Sequence, residues 1–368
     1  MKTISIFGCW WGGGGGNLGD TSILYSTIKN LPNENIKKII VHSLDPKALQ
    51  HYLQEFESVE IRKSVTNYWG ARTVQSIRES DIIVIGGGGL LFSKRIHDPF
   101  YSHISNILPI VKIAKMFNVE VKLHAVGASH LDTKISKIMT RSILRHANSV
   151  TVRDMRSHEI VSNLGNTRPE VVSDPAFLLS TNTSDRVSGI VSEFDRPFIT
   201  LSLHSDIDKY ATVTKEEIAK NILRKVNNYA VNNKFDILLY NNYRNDDWLR
   251  TLSSQIHSEV EVKLVPPDMD LRPNEAVSLL QASSRVIASQ MHVNIMSIVA
   301  RTPNVAIEYD EKVRSMMNQV ELENQVVTIE DVCEKQILES NINGSSEIDD
   351  QVLERIRDVA KTSITNLV

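Results

Sequence analysis

Short apolar runs rich in β-branched residues alternate with stretches of helical periodicity along most of the chain. "TISIFG" (3–8), "KKIIVHS" (37–43), "DIIVIGGGG" (81–89), "VEVKLHAVG" (119–127) and "NSVTVR" (148–153) predict strands. After the first of these, Ile23, Leu24, Ile28 and Leu31 recur at helical spacing, with Asp20 placed to cap the helix. "PKALQHYLQEF" and a segment through Ile104, Ile107, Leu108 and Val111 predict further helices, as do residues 132–146 and 154–164. Strands separated by helices of this length form parallel sheets with right-handed crossovers.

Around residues 180–196 the pattern breaks. "STNTSDRVSG" is polar and carries turn residues, and it reads as a domain boundary. The alternation then restarts with the strand "PFITLSLH" and a helix opened by a capping box, Thr214 to Glu217. "FDILLYN", "VEVKLV", "RVIAS" and "PNVAIEY" supply later strands, and the tail from about 346 to 368 reads as an amphipathic helix. A chain of 368 residues is more than one core usually supports. The expected architecture is α/β: two doubly wound, Rossmann-like parallel-sheet domains facing a cleft. They would cover residues 1–182 and 195–340, with a C-terminal helix over 346–368.

Composition narrows the function classes. A net charge of -3 argues against an electrostatic nucleic-acid binder. Cys9 and Cys333, distant in sequence, offer neither a disulfide framework nor a metal-ligand spacing. The apolar run after Lys2 is short for a signal peptide and is followed by glycines, not by a small-x-small cleavage site. No stretch approaches the roughly 18 apolar residues that suggest a membrane span. The expected location is the cytoplasm.

Two glycine runs, Gly12 to Gly16 and Gly86 to Gly89, follow predicted strands, where open parallel sheets bind their ligands. Gly14, Gly16 and Gly19 fit a dinucleotide fingerprint, with Asp45 at the end of the next strand. Five consecutive glycines satisfy many such patterns, and Asp20 puts negative charge where a pyrophosphate would dock. A ligand-free, close-packed turn is the other reading. In the ligand-binding reading, Gly16, Gly88 and Gly89 supply bare backbone for an acceptor or phosphate, and Asn17 and Asp20 are the polar groups beside it. A nicotinamide enzyme is not expected.

Five stretches, in order and spacing, carry a family resemblance: "GNLGDTSIL", "SDIIVIGGGGLLF", "SVTVRDMRS", "VVSDPAFLL" and "MHVNIMSIVARTPNVAIEYDEKV". The chain resembles the polysaccharide pyruvyl transferases almost end to end. The resemblance implies a fold like the two-domain GT-B glycosyltransferases, with residues 1–182 on the acceptor side of the cleft and 195–340 on the donor side. It implies transfer of the pyruvyl group of phosphoenolpyruvate to two hydroxyls of a sugar in a cell-surface polysaccharide or its precursor. The products are a cyclic ketal and phosphate. That chemistry needs no metal and no cofactor beyond phosphoenolpyruvate as donor substrate. The implied acceptor is a sugar or glycolipid, with peripheral membrane contact where it is lipid-linked. Oligomeric state is not implied.

The reaction calls for an acid, a base and cations that hold a carboxylate and a phosphate. His292, between the strand "RVIAS" and the helix "HVNIMSIVA", matches the family's acid, although a capping or packing histidine would look the same. Lys312 matches the family's basic residue after "PNVAIEY" and suits a phosphate oxygen; alone, it would read as a solvated helix start. Arg153 matches a strand-end arginine whose planar fork suits a carboxylate, with an Arg153–Asp154 pair as the rival reading. Asp174 is expected to shape a turn with Pro175, and His97 and His130 are further histidines near strand ends. The family reads Arg-Leu-His where this chain has Gln290, Met291 and His292. Gln290 is therefore expected at a phosphate-facing position with no charge of its own. The alternatives are a GT-B glycosyltransferase using a nucleotide sugar and a non-catalytic sugar-binding homologue.

Overall fold

Helices and strands alternate through two parallel sheets in the computed structural model, which describes residues 1–8, 16–64, 69–93, 102–165, 168–243, 248–254, 256, 260–265, 271–334 and 337–368. Cys9, Gly12 to Gly15 and His97 lie outside the described residues. The chain divides into two compact units. The first comprises Met1–Leu178 with Ile356–Val368, and the second comprises Leu179–Arg355.

The first unit contains strands β1 (Lys2–Phe7), β2 (Ile36–Ser43), β3 (Val59–Lys63), β4 (Ile82–Gly86), β5 (Gly89–Leu91), β6 (Glu120–Ala128), β7 (Ser149–Val152) and β8 (Glu170–Val171). Its helices are α1 (Leu18–Asn30), α2 (Pro46–Leu53), α3 (Thr73–Glu79), α4 (His103–Met116), α5 (Lys134–His146) and α6 (Met155–Leu164). The sheet order is β3-β2-β1-β4-β6-β7-β8, with β5 paired to the end of β6, and its pairings are parallel. Strand alternation sorts the core into two layers. Ile4, Ile6, Ile82 and Val84 pack with Leu24, Ile28, Leu49 and Leu53 of α1 and α2. Phe7, Ile83 and Ile85 face the other way, toward Ile77, Ile107, Val111, Ile143 and Val161 of α3 to α6. Asn17, not Asp20, caps α1: its Oδ1 accepts from Gly19 N at 2.8 Å, leaving Asp20 within the first turn. Asparagine fits the cap because its short acceptor reaches the orphan N–H from an extended backbone.

The second unit begins with α7 (Asp185–Ser192), then β9 (Phe198–Ser202), α8 (Lys215–Asn233), β10 (Asp236–Leu239), α9 (Trp248–Ser253), β11 (Val262–Leu264) and α10 (Pro273–Gln281). There follow β12 (Arg285–Ala288), α11 (Met291–Val299), β13 (Asn304–Glu308), α12 (Glu311–Gln319), β14 (Val326–Thr328), α13 (Ile329–Glu334), α14 (Ile337–Gly344) and α15 (Asp350–Thr365). The sheet order, β11-β10-β9-β12-β13-β14, is the 3-2-1-4-5-6 order of dinucleotide-binding folds counted within this unit. The polar stretch 180–196 holds a helix, α7, capped by the Ser184 side chain and burying Val187 and Ile190. From Ile356 onward α15 belongs to the first unit, where Ile364 and Leu367 enter the layer beneath α1 and α2.

Candidate functional site

In a doubly wound sheet the strand order reverses at one point, and the crevice outside the strand ends at that point is where ligands bind. In the first unit the reversal lies between β1 and β4. Gly16, half-buried, precedes α1, and the Asn17 amide donates to Asp20 Oδ2 at 3.2 Å. Across the reversal, Gly88 has φ +81°, which glycine adopts without the steric cost other residues carry. A Cβ on Gly88 would come within 2.8 Å of Asp20 Oδ1, so the acidic side chain lies against the second glycine run. Gly89 is exposed, and a Cβ there would meet nothing within 4 Å.

The crevice extends along the end of β6. Gly127 N donates to Gly88 O at 3.0 Å, and a Cβ on Gly127 would meet Nε and Nη2 of Arg153 at 3.0 Å. Arg153 is buried, with Nε 3.5 Å from Asp154 Oδ2 and Nη1 3.4 Å from Asp174 Oδ2. Each acid also holds backbone: Asp154 caps α6 through Ser157 N, and Asp174 accepts from Ala176 N. One guanidinium thus stands between two buried carboxylates, and its Nε makes no hydrogen bond among the described residues. The end of β6 is irregular. Ala125 has φ +47°, and the register against β7 slips between Leu123 and Val126, a bulge whose free Ala125 N–H is met by Thr151 Oγ1 at 2.9 Å. Beside the bulge His124 is buried next to a small void lined by Gly86, Gly87, Ile6 and Ile23, and burial pushes its pKa down to about 4 against the pull of Asp174. His130, at φ +44°, is exposed at the far end of the same segment.

In the second unit the reversal lies between β9 and β12. Gln290 follows β12 as the N-cap residue of α11, and its buried amide ties three strand-end segments together. Nε2 donates to Asn241 Oδ1 at 2.7 Å and Leu203 O at 3.5 Å, while Oε1 accepts from Asn242 N at 3.2 Å. From Asn241 the network continues: its Oδ1 also accepts from Tyr243 N, and the Tyr243 hydroxyl lies 3.2 Å from His204 Nε2. Asp206 N donates to His204 Nδ1 at 2.9 Å, so Nε2 carries the ring proton and Tyr243 Oη accepts it. That leaves the hydroxyl proton of Tyr243 to donate elsewhere. His204 stacks on Tyr309 with centroids 4.8 Å apart, and Lys312 Nζ lies 5.0 Å over the Tyr309 ring. His292 is the second residue of α11 and is 8 % exposed.

Asn17, Asp20, Gly88, Gly127 and Arg153 are therefore linked by successive contacts at the strand ends of the first unit, and Gln290 and Lys312 are joined through Asn241, Tyr243, His204 and Tyr309 at those of the second. The three expected catalytic residues are divided, with Arg153 in the first unit and His292 and Lys312 in the second. Sequence reasoning passed over Gly127, His204, Asn241, Tyr243 and Tyr309. The available signal was positional: each lies at the end of, or within four residues after, a strongly apolar strand. Among the described residues no three His, Cys, Asp or Glu side chains converge as metal ligands, and no helix is long and apolar enough to cross a membrane.

A family model described as polysaccharide pyruvyl transferase matches residues 17–311. A comparison of the sequence with curated proteins finds no match. Solved structures of similar fold include UDP-GlcNAc 2-epimerase from Neisseria meningitidis bound to UDP-GlcNAc, at 12% identity and TM-score 0.64, covering 98% of each chain. The UDP-GlcNAc 2-epimerase from Methanocaldococcus jannaschii aligns at 14% identity and TM-score 0.63, over 98% of this chain and 100% of that one. ADP-heptose lps heptosyltransferase II from E. coli aligns at 12% identity and TM-score 0.51, over 96% and 99%. At these identities the likeness establishes the fold: two parallel-sheet α/β domains of the GT-B kind.

Proposed function

The chain belongs to the polysaccharide pyruvyl transferase family, and on that premise we propose that it moves the pyruvyl group of phosphoenolpyruvate onto a sugar of a cell-surface polysaccharide or its precursor, as a ketal. The observation that carries this reading is that both sheets present polar side chains beyond their strand ends: after β1, β7 and β8 in the first unit, and after β12 and β13 in the second. In the first unit Asp20, Asp154 and Asp174 outnumber Arg153, which suits neutral sugar hydroxyls that donate hydrogen bonds. In the second, His292 and Lys312 accompany neutral Gln290, with the Asp310 carboxylate held by Lys209 and the Lys312 backbone N–H; the Lys312 cation suits an anionic donor.

In this reading His292 protonates the methylene carbon of phosphoenolpyruvate, leaving an oxocarbenium-like centre at the neighbouring carbon. One sugar hydroxyl attacks that centre, and its proton restores His292. Phosphate then departs with the electrons of its C–O bond, and the second hydroxyl closes the ketal as its proton leaves with the phosphate. Lys312 supplies a point charge for a phosphate oxygen. Gln290 stands where the family is expected to carry arginine, and it acts as a brace that sets the loops around the donor. Arg153 organises the acceptor crevice by holding Asp154 and Asp174. The reaction is assigned to the cytoplasm, where phosphoenolpyruvate is the available donor.

A second reading, glycosyl transfer from a nucleotide sugar, is favoured by the His204–Tyr243–Tyr309 aromatic group and by the UDP-sugar bound to a neighbour in fold. One incubation separates the two. Purified protein with phosphoenolpyruvate and a panel of sugar acceptors should release phosphate while an acceptor gains the mass of pyruvate less one water. Release of nucleotide from nucleotide sugars, with no phosphate from phosphoenolpyruvate, would leave the second reading standing instead.

A further inference from the structure

The first unit carries a surface that no part of this chemistry uses. Helices α4 and α5 pack side by side over the sheet, and neither contains a single Asp or Glu. Their outward positions are Lys112, Lys115, Lys134, Lys137, Arg141 and Arg145, all exposed. In a chain whose net charge is -3, this is a local concentration of positive charge. Among the described residues, the side chains of Lys112, Lys115, Lys134, Lys137 and Arg145 make no ion pair or hydrogen bond, while Arg141 Nε donates to Leu164 O at 2.7 Å. Between the cations stand exposed apolar side chains: Met116 at 77%, Ile138 at 62%, Ile135 at 49% and Phe117 at 43%. On α5, Lys134, Ile138, Arg141 and Arg145 recur at helical spacing on one side, opposite buried Ser136, Thr140, Ile143 and Leu144.

We propose that this face of α4 and α5 docks on an anionic lipid surface. Basic side chains around protruding isoleucines match a bilayer interface, where the cations meet anionic headgroups and the apolar tips enter the acyl boundary. Nucleic acid would satisfy the cations and leave the isoleucines in water. A second copy presenting the same face would set lysines against lysines. The position is also suited to the task, because α5 starts just beyond the end of β6, where Gly127 and Arg153 line the acceptor crevice. If the acceptor is lipid-linked, a point that rests on the proposed function, docking brings its headgroup to that crevice.

Sedimentation of the full chain with vesicles tests the docking without relying on catalysis. Vesicles of equal phosphatidylcholine and phosphatidylglycerol should retain the protein, added salt should release it, and pure phosphatidylcholine should retain little. Changing Lys134→Gln together with Lys137→Gln should weaken binding about 30-fold, from two lost charges near the surface. Ile135→Ser with Ile138→Ser should weaken it at least about tenfold. All four positions are exposed, so both variants should keep the parent melting temperature. No binding to the anionic vesicles would overturn the proposal, as would binding that neither variant alters. A dimer that the isoleucine pair of substitutions dissolves would also overturn it, by assigning the face to a second copy. Transfer to a water-soluble acceptor is read separately, so a chain that docks but transfers nothing leaves the docking standing and removes the pyruvyl transfer.

Discussion

Replacing Arg153 by methionine asks whether its charge is already committed within the chain. The methionine keeps most of the apolar stem's volume and removes the guanidinium. Arg153, Asp154 and Asp174 have side chains only 7%, 9% and 4% exposed, so the interaction is weakly screened. Breaking a buried ion pair by removing one partner costs about 3–5 kcal/mol, because the remaining charge is left without compensation. Here two carboxylates would be left, but each keeps a backbone donor, Ser157 N at 2.7 Å and Ala176 N at 3.0 Å. The lower end, about 3 kcal/mol, is therefore expected. Adding Asp174→Asn removes one stranded charge and keeps the Ala176 contact, so the double variant should recover about 1–2 kcal/mol. Urea unfolding followed by circular dichroism at pH 7.5, run as a double-mutant cycle, reads this coupling. If Arg153→Met leaves stability unchanged, or the two substitutions add within about 0.5 kcal/mol, the charges are uncoupled in solution. The guanidinium would then be free to hold a substrate carboxylate, and its role as an organiser of the chain would be wrong.

Buried His42 and His124 both have pKa values pushed down to about 4 by burial, with Arg62 adding to the effect at His42. The unfolded chain then binds more protons between pH 6.5 and 4, so their contribution is complete above about pH 6.5 and is lost as pH falls through that window. Stability should drop by about 2–4 kcal/mol between pH 7.5 and 5, and a profile that stays flat, or keeps its slope in His124→Asn, would refute this. Gln290→Leu should cost about 1–3 kcal/mol, because Asn242 N–H loses its buried acceptor; equal thermal midpoints would show that the bridge is not formed. Gly88→Ala should destabilise by about 1–2 kcal/mol through its left-handed backbone and push Asp20 aside, so parental stability and acceptor affinity would count against the crevice as drawn. His292→Gln should lower turnover by about 10²–10⁴ with little change in phosphoenolpyruvate KM, and a fully active variant would remove it from the acid role.

Much of the fold was legible because β1, β4, β9 and β12 are short, strongly apolar strands bounded by glycine, serine or charged residues. Edge elements were harder. β3, "VEIRK", is half-buried and carries charge, and its Arg62 is satisfied by Glu60 on the same strand and by Ser76 and Glu79 of α3, a helix distant in sequence. The helix in 180–196 hid behind residues that individually favour turns, since Ser184 and Asp185 serve there as a cap and a first-turn acid. Asp20 was read as a cap from its charge, while the geometry gave that place to Asn17, three residues earlier. The parts of the site that pattern exposes are those adjacent in sequence, such as Asn17 with Asp20 and Gln290 with His292. The Gln290 network spans residues 203 to 290, and only the pairing of β9 with β10 and β12 brings those segments together. No local pattern encodes it.

The return of α15 to the first unit has a consequence for the order in which the molecule can be made. Ile364 and Leu367 complete the apolar layer under α1 and α2, Lys122 Nζ donates to Asn366 O at 3.0 Å, and Arg357 Nε donates to Phe177 O at 3.1 Å. Those residues leave the ribosome only after the entire second unit. Domains commonly fold as they emerge, the N-terminal one first; here the N-terminal sheet emerges first but must wait with one side of its core uncovered. The second unit, which needs nothing from residues beyond 355 to close its sheet, is the one free to finish first. Completion of the first unit's core is thus tied to the last residues made, and until they arrive an apolar surface is open to chaperones or to misassembly.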